Sequence, residues 1–333
     1  MSASRTAAGR WLALTGLTVA VLFAAFAFGP FPLLPGEVLS ALLAGPAATG
    51  DHALVVWNLR LPRVAAGFLV GAALSAAGAA YQGMFRNPLV SPDILGVSAG
   101  AGLGASLAIL SGLTLAWVQG LAFAGGLIAV ASVWWLSGRI RRHDPVLVLV
   151  LAGVAVGTLF SAGISLVKVL ADPSVQLPSI TFWLLGGLNA VDAADLAVAA
   201  PLVAAGLLIM ALVRWRANLL SLADDEALSL GVDVPRLRAL LVIAATSMTA
   251  AAVAIAGIVG WVGLVVPHAA RLLVGPEFSR LLPASLLLGG SFLVAADTLA
   301  RTMAVIELPL GLLTAFVGAP AFLWLLARTG RLG

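Results

Sequence analysis

The chain has 333 residues, of which 62% are hydrophobic and only 10% are charged, with a formal net charge of +4. Soluble domains are about a quarter charged, so the composition indicates a membrane protein, and short loops leave one domain over residues 1–333. The absence of cysteine excludes disulfides, thiolate metal sites and cysteine nucleophiles. Arginine supplies almost all the basic charge, which is typical of the cytoplasmic ends of membrane helices, and we expect no nucleic-acid partner.

Apolar runs recur along the chain, and most are long enough to cross a bilayer as an α-helix. The predicted spans are residues 11–29, 63–84, 92–110, 115–136, 145–169, 192–213, 238–258, 259–273, 281–300 and 308–327. Residues 1–28 also resemble a signal peptide, because Arg5 and Arg10 precede the apolar stretch. We favour an uncleaved first span, since this stretch is long for a signal core.

Two of the predicted spans are weak, and the positions of the arginines decide whether they cross. Residues 92–110 are rich in glycine and serine, and residues 259–273 are short and contain Pro267. Dropping only the first places the Arg139–Arg142 cluster outside, and dropping only the second places Arg271, Arg280 and the C-terminal arginines outside, against the positive-inside rule. We therefore expect ten spans, with both termini in the cytoplasm.

The two weak spans hold equivalent places in two series of helices that start near Arg63 and near Ala239. Five spans separate the two starts, so the series run in opposite directions. Interrupted segments in two inverted halves are typical of transporters. Glycine and alanine at such places also allow close helix packing, and both interpretations can hold together.

Four basic residues remain on the outer side in this topology: Arg60, Arg63, Lys168 and Arg301. Anchoring at the membrane interface explains Lys168. Arg60 and Arg63 lie three apart, near one face of a helix start, and anchoring explains them less well. Arg301 follows Asp297 by four residues, so a local ion pair is an alternative for it.

The longest polar stretch, residues 214–238, falls on the cytoplasmic side and mixes leucines with acidic residues. Gly231 interrupts it, and Asp233 before Pro235 predicts the cap of a new helix, so we expect two short helices. An apolar surface rimmed by charge is typical of a docking site.

The residues offer little for catalysis. A phosphate-binding loop needs a lysine after its second glycine, and the single lysine, Lys168, lies in "SLVKVLA", so this chain carries no such ATP site. The "GVSAG" at 96–100, with His268 and Asp297 downstream, mimics a serine hydrolase, but the motif requires a strand–turn–helix context. The three histidines are scattered, so we expect neither a metal site nor a cofactor.

Five stretches carry a family resemblance: "RLPR" at 60–63, residues 71–102, "SLADDEALSLGV" at 221–232, "GWVGLVVPHAARLLVGP" at 260–276 and "ELPLGLLTAFVGAPAFLWLL" at 307–326. Together they resemble the permease subunit of binding-protein-dependent ABC importers for iron chelates, haem and cobalamin. The resemblance implies an all-α, type II importer permease of ten transmembrane helices in the bacterial inner membrane. It also implies a homodimer, two separate ATP-binding cassette subunits and an extracytoplasmic substrate-binding protein.

The resemblance also implies roles for particular residues. Arg60, Arg63 and Arg301 match the arginines that meet acidic residues of the binding protein, where rim charges set association rate and register. The segment that couples to the ATPase matches Leu220, Asp224, Glu226, Ala227, Leu230 and Gly231. The cytoplasmic gate matches Asn87, Leu89, Pro145 and Val146, although some relatives carry small hydroxyl residues where this chain has Pro145 and Val146.

Substrate and energy source leave alternatives open. "NPLVSPDILGVSAG" at 87–100 resembles ferric-siderophore permeases more than haem permeases, which favours an iron chelate, with cobalamin as the alternative. An ion-coupled secondary transporter would need ionisable residues near the middle of the membrane. Asp297 is the one acid well inside a predicted span, and we expect Arg301 to neutralise it.

Overall fold

The structure is a computed structural model that describes residues 2–140 and 145–329. Within these residues the regular secondary structure is helical. The α-helices are α1 (Ser2–Ala27), α2 (Pro35–Ala44), α3 (Asp51–Leu54), α4 (Leu61–Met84), α5 (Val97–Leu110), α6 (Leu115–Arg139), α7 (Pro145–Leu170), α8 (Gln176–Leu185), α9 (Ala193–Ala217), α10 (Asp224–Ser229), α11 (Val234–Ala256), α12 (Val262–Val274), α13 (Phe278–Ala300) and α14 (Leu310–Thr329). A π-helical segment, Val55–Arg60, joins α3 to α4, and 3-10 turns at Pro92–Leu95 and Asn218–Ser221 precede α5 and α10.

Each of the ten predicted spans coincides with a helix. Seven helical segments of the described chain are long and apolar enough to cross a membrane, and α5, α12 and α14 are shorter apolar helices. The second predicted span, residues 63–84, matches α4 to within two residues, and the helical segment extends before it to Asp51. The short helices α2 and α8 were not predicted, since ten residues are too few for a search based on span length.

The helix α4 lies at the centre of the bundle, and glycines let its neighbours approach closely. A Cβ atom added to Gly71 would lie 2.1 Å from the carbonyl oxygen of Gly289 on α13. One added to Gly78 would lie 1.9 Å from the carbonyl oxygen of Gly263 on α12. Gly71 and Gly78 are two turns apart, so the same face of α4 packs backbone against backbone on two helices.

The two inverted halves are confirmed by reciprocal packing. In the first half α4, α5 and α6 follow one another, and in the second half α11, α12 and α13 do. The third helix of each half packs on the first helix of the other, α6 on α11 and α13 on α4. The second helix of each half is short and follows a backbone in the left-handed region, at Gly96 (φ 77°) before α5 and at Trp261 (φ 70°) before α12.

Contacts between distant segments define two ends of the bundle, which we name the Arg63 end and the Arg86 end. At the Arg63 end, hydrogen bonds join Gln119 to Asp195 and Gln176 to Leu110. At the Arg86 end, they join Arg10 to Leu273 and Asn218 to Phe278. These pairs agree with the predicted alternation in the direction of successive spans.

Candidate functional site

A buried ion-pair network occupies the Arg63 end. Arg63 is the third residue after the π-helical segment, and its Nε and Nη2 donate to the Asp297 carboxylate at 2.9–3.0 Å. Its Nη1 and Nη2 donate to Glu307 at 2.9 and 3.0 Å. The Asp297 side chain is 3% exposed and that of Arg63 is 15% exposed, whereas Glu307 is 41% exposed. The network therefore ties α4 to α13 and to the loop before α14, with one carboxylate at the surface.

Arg63, on another helix, is the main partner of Asp297. Arg301 lies four residues after Asp297, but its Nε is 3.7 Å from Asp297 Oδ2 and has no hydrogen-bond acceptor among the described residues. The expected local ion pair between Arg301 and Asp297 is therefore present, but it is longer than the pair that Asp297 forms with Arg63. A guanidinium that meets a carboxylate through two N–H groups forms the stronger hydrogen bonds, and only Arg63 reaches this geometry.

Arg60 and Arg301 are buried, although we expected rim charges. Arg60 is 4% exposed and Arg301 is 6% exposed. Arg60 donates to the carbonyl oxygens of Phe26 and Phe31, and Arg301 donates to the carbonyl oxygen of Ala25. The last carbonyls of a helix have no partner within the helix, and both arginines satisfy such groups around the end of α1. Gly29 leaves the space, since a Cβ there would lie 3.1 Å from Arg301 and 3.2 Å from Arg60.

Acidic side chains outnumber basic ones at the Arg63 end. The basic residues there are Arg60, Arg63, Lys168 and Arg301, and the acidic residues are Glu37, Asp51, Asp172, Asp192, Asp195, Asp297 and Glu307. Because two of the four basic side chains are buried, the exposed surface of this end is acidic.

One of the two predicted short helices, α10, is present at the Arg86 end, whereas the helix that Asp233 caps is the long helix α11 and not a short one. Asp224 begins α10, and its carboxylate accepts from Arg86 Nη2 at 3.1 Å and from Arg238 Nη2 at 3.2 Å. Arg86 Nη1 also donates to the carbonyl oxygen of Leu222 at 2.9 Å. Two arginines from α11 and from the turn after α4 therefore hold the start of α10 against the bundle.

The remaining predicted coupling residues divide into buried and exposed ones. Leu220 and Ala227 are buried and anchor the segment, whereas Glu226 is exposed and Leu230 is 60% exposed. Gly231 has a φ of 80°, a left-handed backbone that favours glycine. Asp233 caps α11 by accepting from the backbone N–H of Arg236 at 3.1 Å, as predicted.

The predicted gate residues are only partly described. Asn87 and Leu89 are exposed in the turn after α4, where Asn87 Oδ1 accepts from the backbone N–H of Leu89 at 2.9 Å. Pro145 begins α7, but its side chain lies outside the described residues, as do residues 141–144. Val146 is half-buried in the first turn of α7.

The serine hydrolase arrangement is not assembled. Ser98 donates to Asp93, His268 lies near the Arg86 end, and Asp297 is bonded to Arg63 at the other end. Within the described ranges, no group of three or more histidine or acidic residues is placed to hold a metal ion.

Sequence reasoning missed Glu307, Arg86 and Arg238 as members of the two charged clusters. Glu307 is the first residue of the "ELPLG" stretch, and Arg238 follows the Asp233 cap by five residues. Both residues therefore lie next to motifs that the sequence analysis had identified. Glu307 and Arg86 have partners 244 and 138 residues away, and Arg238 has one 14 residues away, so no pattern within a helical turn connects them.

Comparison with known proteins agrees with this architecture. The FecCD transport family matches residues 17–328. A cobalamin import system permease protein of Halobacterium salinarum is 44% identical over 88% of this chain and 79% of its own length. An iron chelatin transport system permease protein of Helicobacter pylori is 41% identical over 83% of each chain.

Structural similarity leads to the same group. A solved structure described as an inward-facing conformation of a metal-chelate type ABC transporter is 35% identical, covers 95% of this chain and 98% of its own, and has a TM-score of 0.87. The family match spans nearly the whole bundle, including both charged ends. This chain therefore belongs to the FecCD transport family and is a permease subunit of an ABC importer.

Proposed function

We propose that this chain forms the membrane path of an importer that carries an iron chelate, a ferric siderophore or haem, into the cytoplasm. The similarity to the iron chelatin permease of Helicobacter pylori supports this substrate class. Cobalamin is the second candidate, because the permease of Halobacterium salinarum with 44% identity is named for it. We place the protein in a bacterial inner membrane, with the Arg86 end and both termini in the cytoplasm, since most arginines lie at that end.

The segment around α10 supports the proposal that ATP is hydrolysed on two separate subunits. Its exposed residues include the acidic first turn of α10, together with Leu228 and Leu230, which are 64% and 60% exposed. An apolar surface beside charge suits a protein partner. Asp224 is held by Arg86 and Arg238, so a push on α10 is transmitted to α4 and α11. The missing phosphate-loop lysine supports the same division of labour.

A second copy of this chain is proposed to cover the exposed face of α7. Leu151, Val154 and Leu159 are more than half exposed, and Thr158, Ser161 and Ser165 form an exposed row of hydroxyls among them. Each of these hydroxyls donates only to a carbonyl of its own helix. Two such faces would enclose a path lined by small polar groups, closed towards the cytoplasm by Asn87, Leu89, Pro145 and Val146.

The substrate-binding protein is proposed to dock at the Arg63 end. Arg63 reaches the surface beside Glu307. Arg60 and Arg301 are buried beneath this surface, where they bind backbone carbonyls around the end of α1. Direct contact with acidic residues of the partner therefore falls to Arg63 among the three. Because this end exposes many acidic residues, we expect the docking protein to present basic residues as well as acidic ones.

Reconstitution tests the importer proposal. The chain is placed in proteoliposomes with its ATPase subunit and binding protein, and uptake of a ferric siderophore, haem and cobalamin is measured. We expect uptake of an iron chelate that requires ATP hydrolysis. Uptake driven by a proton or sodium gradient without nucleotide would contradict the importer, and uptake of cobalamin alone would contradict the substrate.

A charge reversal tests the coupling segment. Asp224→Lys places a cation against Arg86 and Arg238, so we expect co-purification of the ATPase subunit to fall. Asp51→Lys makes the same change at the opposite end of the bundle and should leave co-purification unchanged. Equal retention of the ATPase by both variants would show that α10 is not the coupling element.

A further inference from the structure

A groove of about 510 Å³ lies between α6 and α11 on the side of the bundle. The two helices touch at one end of it, where a Cβ atom added to Gly126 would lie 3.2 Å from the Cβ atom of Ala250. Towards the Arg86 end the space between them is lined by apolar side chains and two small hydroxyl residues: Leu127, Val130, Ala131, Trp134, Trp135, Ala239, Val242, Ile243, Thr246 and Ser247. Trp135 and Ile243 are 57% and 60% exposed, so the groove is open to the surroundings of the bundle.

The length of the groove matches one leaflet of a bilayer. Leu127 and Arg139, the last residue of α6, are twelve residues apart, which is about 18 Å along a helix axis. Half of a hydrocarbon core of about 30 Å is about 15 Å. Trp134 and Trp135 lie near the Arg86 end of the groove, and tryptophan is enriched at the membrane interface. An acyl chain that follows α6 would therefore place its headgroup next to Arg139.

Arg139 supplies a free cation at this position. Its guanidinium lies over the ring of Trp135, with Cζ 3.9 Å from the ring centroid. The side chain is exposed and forms no ion pair or hydrogen bond with any described residue. Arginine stacks on aromatic rings while its N–H groups remain at the edge of the plane, where they match a phosphate in a bidentate arrangement.

The other charges at this end of the groove do not oppose an anion. Arg236 lies one turn before Ala239 on α11, and it is paired with Asp233 at 3.0 Å, so this pair adds no net charge. In the sequence, residues 139–144 read "RIRRHD", which contains three arginines and one aspartate. The groove therefore combines an apolar interior with an excess of positive charge at one end.

We propose that this groove binds one anionic phospholipid, with an acyl chain between α6 and α11 and the phosphate on Arg139. Basic sites between membrane helices on the cytoplasmic side are suited to anionic headgroups. The assignment to the cytoplasmic leaflet rests on the proposed function, because it uses the orientation proposed there. The binding itself rests on the groove and on Arg139, and an experiment in detergent tests it without reference to sidedness or transport.

Native mass spectrometry of the full chain, released from detergent micelles, tests the binding. The protein is titrated with phosphatidylglycerol and, separately, with phosphatidylcholine that has the same acyl chains. We expect one phosphatidylglycerol to bind per chain at concentrations at which phosphatidylcholine does not. Equal retention of the two lipids would overturn an anionic site.

Matched variants separate the site from general charge attraction. Arg139→Gln should weaken phosphatidylglycerol binding about tenfold, the effect of one lost charge-assisted hydrogen bond. Arg216→Gln removes an exposed cation from the last turn of α9, at the same end of the bundle, and should change little. Equal weakening by the two variants would reduce the binding to general electrostatics and overturn the site.

Two further results show what occupies the groove. Ala131→Phe fills it without changing a charge and should lower phosphatidylglycerol binding, whereas Ile128→Phe, at an exposed position outside the lining, should not. Normal binding by Ala131→Phe would place the lipid elsewhere and overturn the proposal. The same spectra separate monomers from dimers, and we expect both to retain the lipid. Retention by monomers alone would show that a second copy covers the groove, and would also overturn it.

Discussion

Replacing Asp297 by asparagine removes the buried carboxylate on which the Arg63 end depends. In the native network two arginines with low exposure, Arg63 and Arg301, face Asp297, and Arg63 also meets the half-exposed Glu307. The Asp297→Asn variant keeps the size of the side chain and one acceptor oxygen, and it replaces the other oxygen by an amide group that donates. It leaves the guanidinium groups of Arg63 and Arg301 with one solvent-exposed carboxylate, so the change removes the buried negative charge.

The expected loss follows from burial. Breaking a buried ion pair by removing one partner costs about 3–5 kcal/mol, because the remaining charge stays buried and uncompensated. Asp297 is 3% exposed and Arg63 is 15% exposed, so this range applies to Asp297→Asn. Exposed pairs contribute about 0–1 kcal/mol. Glu277→Gln is a matched control, since Glu277 and Arg280 are paired with side chains 36% and 63% exposed.

The free energy of unfolding in detergent micelles provides the measurement, with a double variant to isolate the pair. Asp297→Asn/Arg63→Gln removes both charges and should be more stable than the sum of the two single losses predicts, since neighbouring residues couple by about 0.5–3 kcal/mol. Two results would refute the reasoning. One is an Asp297→Asn loss no larger than that of Glu277→Gln, and the other is strict additivity in the double variant.

Two glycine substitutions test close packing and backbone conformation. Gly78→Ala should lower thermal stability, because its Cβ would meet the carbonyl oxygen of Gly263 at 1.9 Å and overpacking costs about 1–3 kcal/mol. Gly83→Ala is the control, since a Cβ at Gly83 would have no atom within 4 Å. Equal losses of stability in the two variants would contradict the close contact. Gly231→Trp should reduce co-purification of the ATPase subunit, since a residue with a Cβ destabilises a backbone at φ 80° by about 1–2 kcal/mol. Gly231→Asn is the control, because asparagine tolerates this conformation and should retain the subunit. Normal co-purification with Gly231→Trp would show that the turn is not part of the coupling surface.

Length and local pattern were enough to predict several features from the sequence. A bilayer requires about 20 apolar residues of self-satisfied backbone, so the spans can be read without tertiary information. The weakness of residues 92–110 and 259–273 came from their own glycine, serine and proline, and α5 and α12 are indeed short. The helix α10, the turn at Gly231 and the cap at Asp233 depend on neighbours within four residues.

The tertiary structure alone decided which charges are exposed and what they bind. Arg63 meets Asp297 across 234 residues of sequence, and Arg301 reaches Ala25 across 276. Arginines at the outer helix ends look alike in the sequence whether they face a partner or satisfy backbone carbonyls. The carbonyls at the end of α1 that Arg60 and Arg301 satisfy can be recognised only when the helices are packed, because burial depends on the surrounding chain and not on the residue itself.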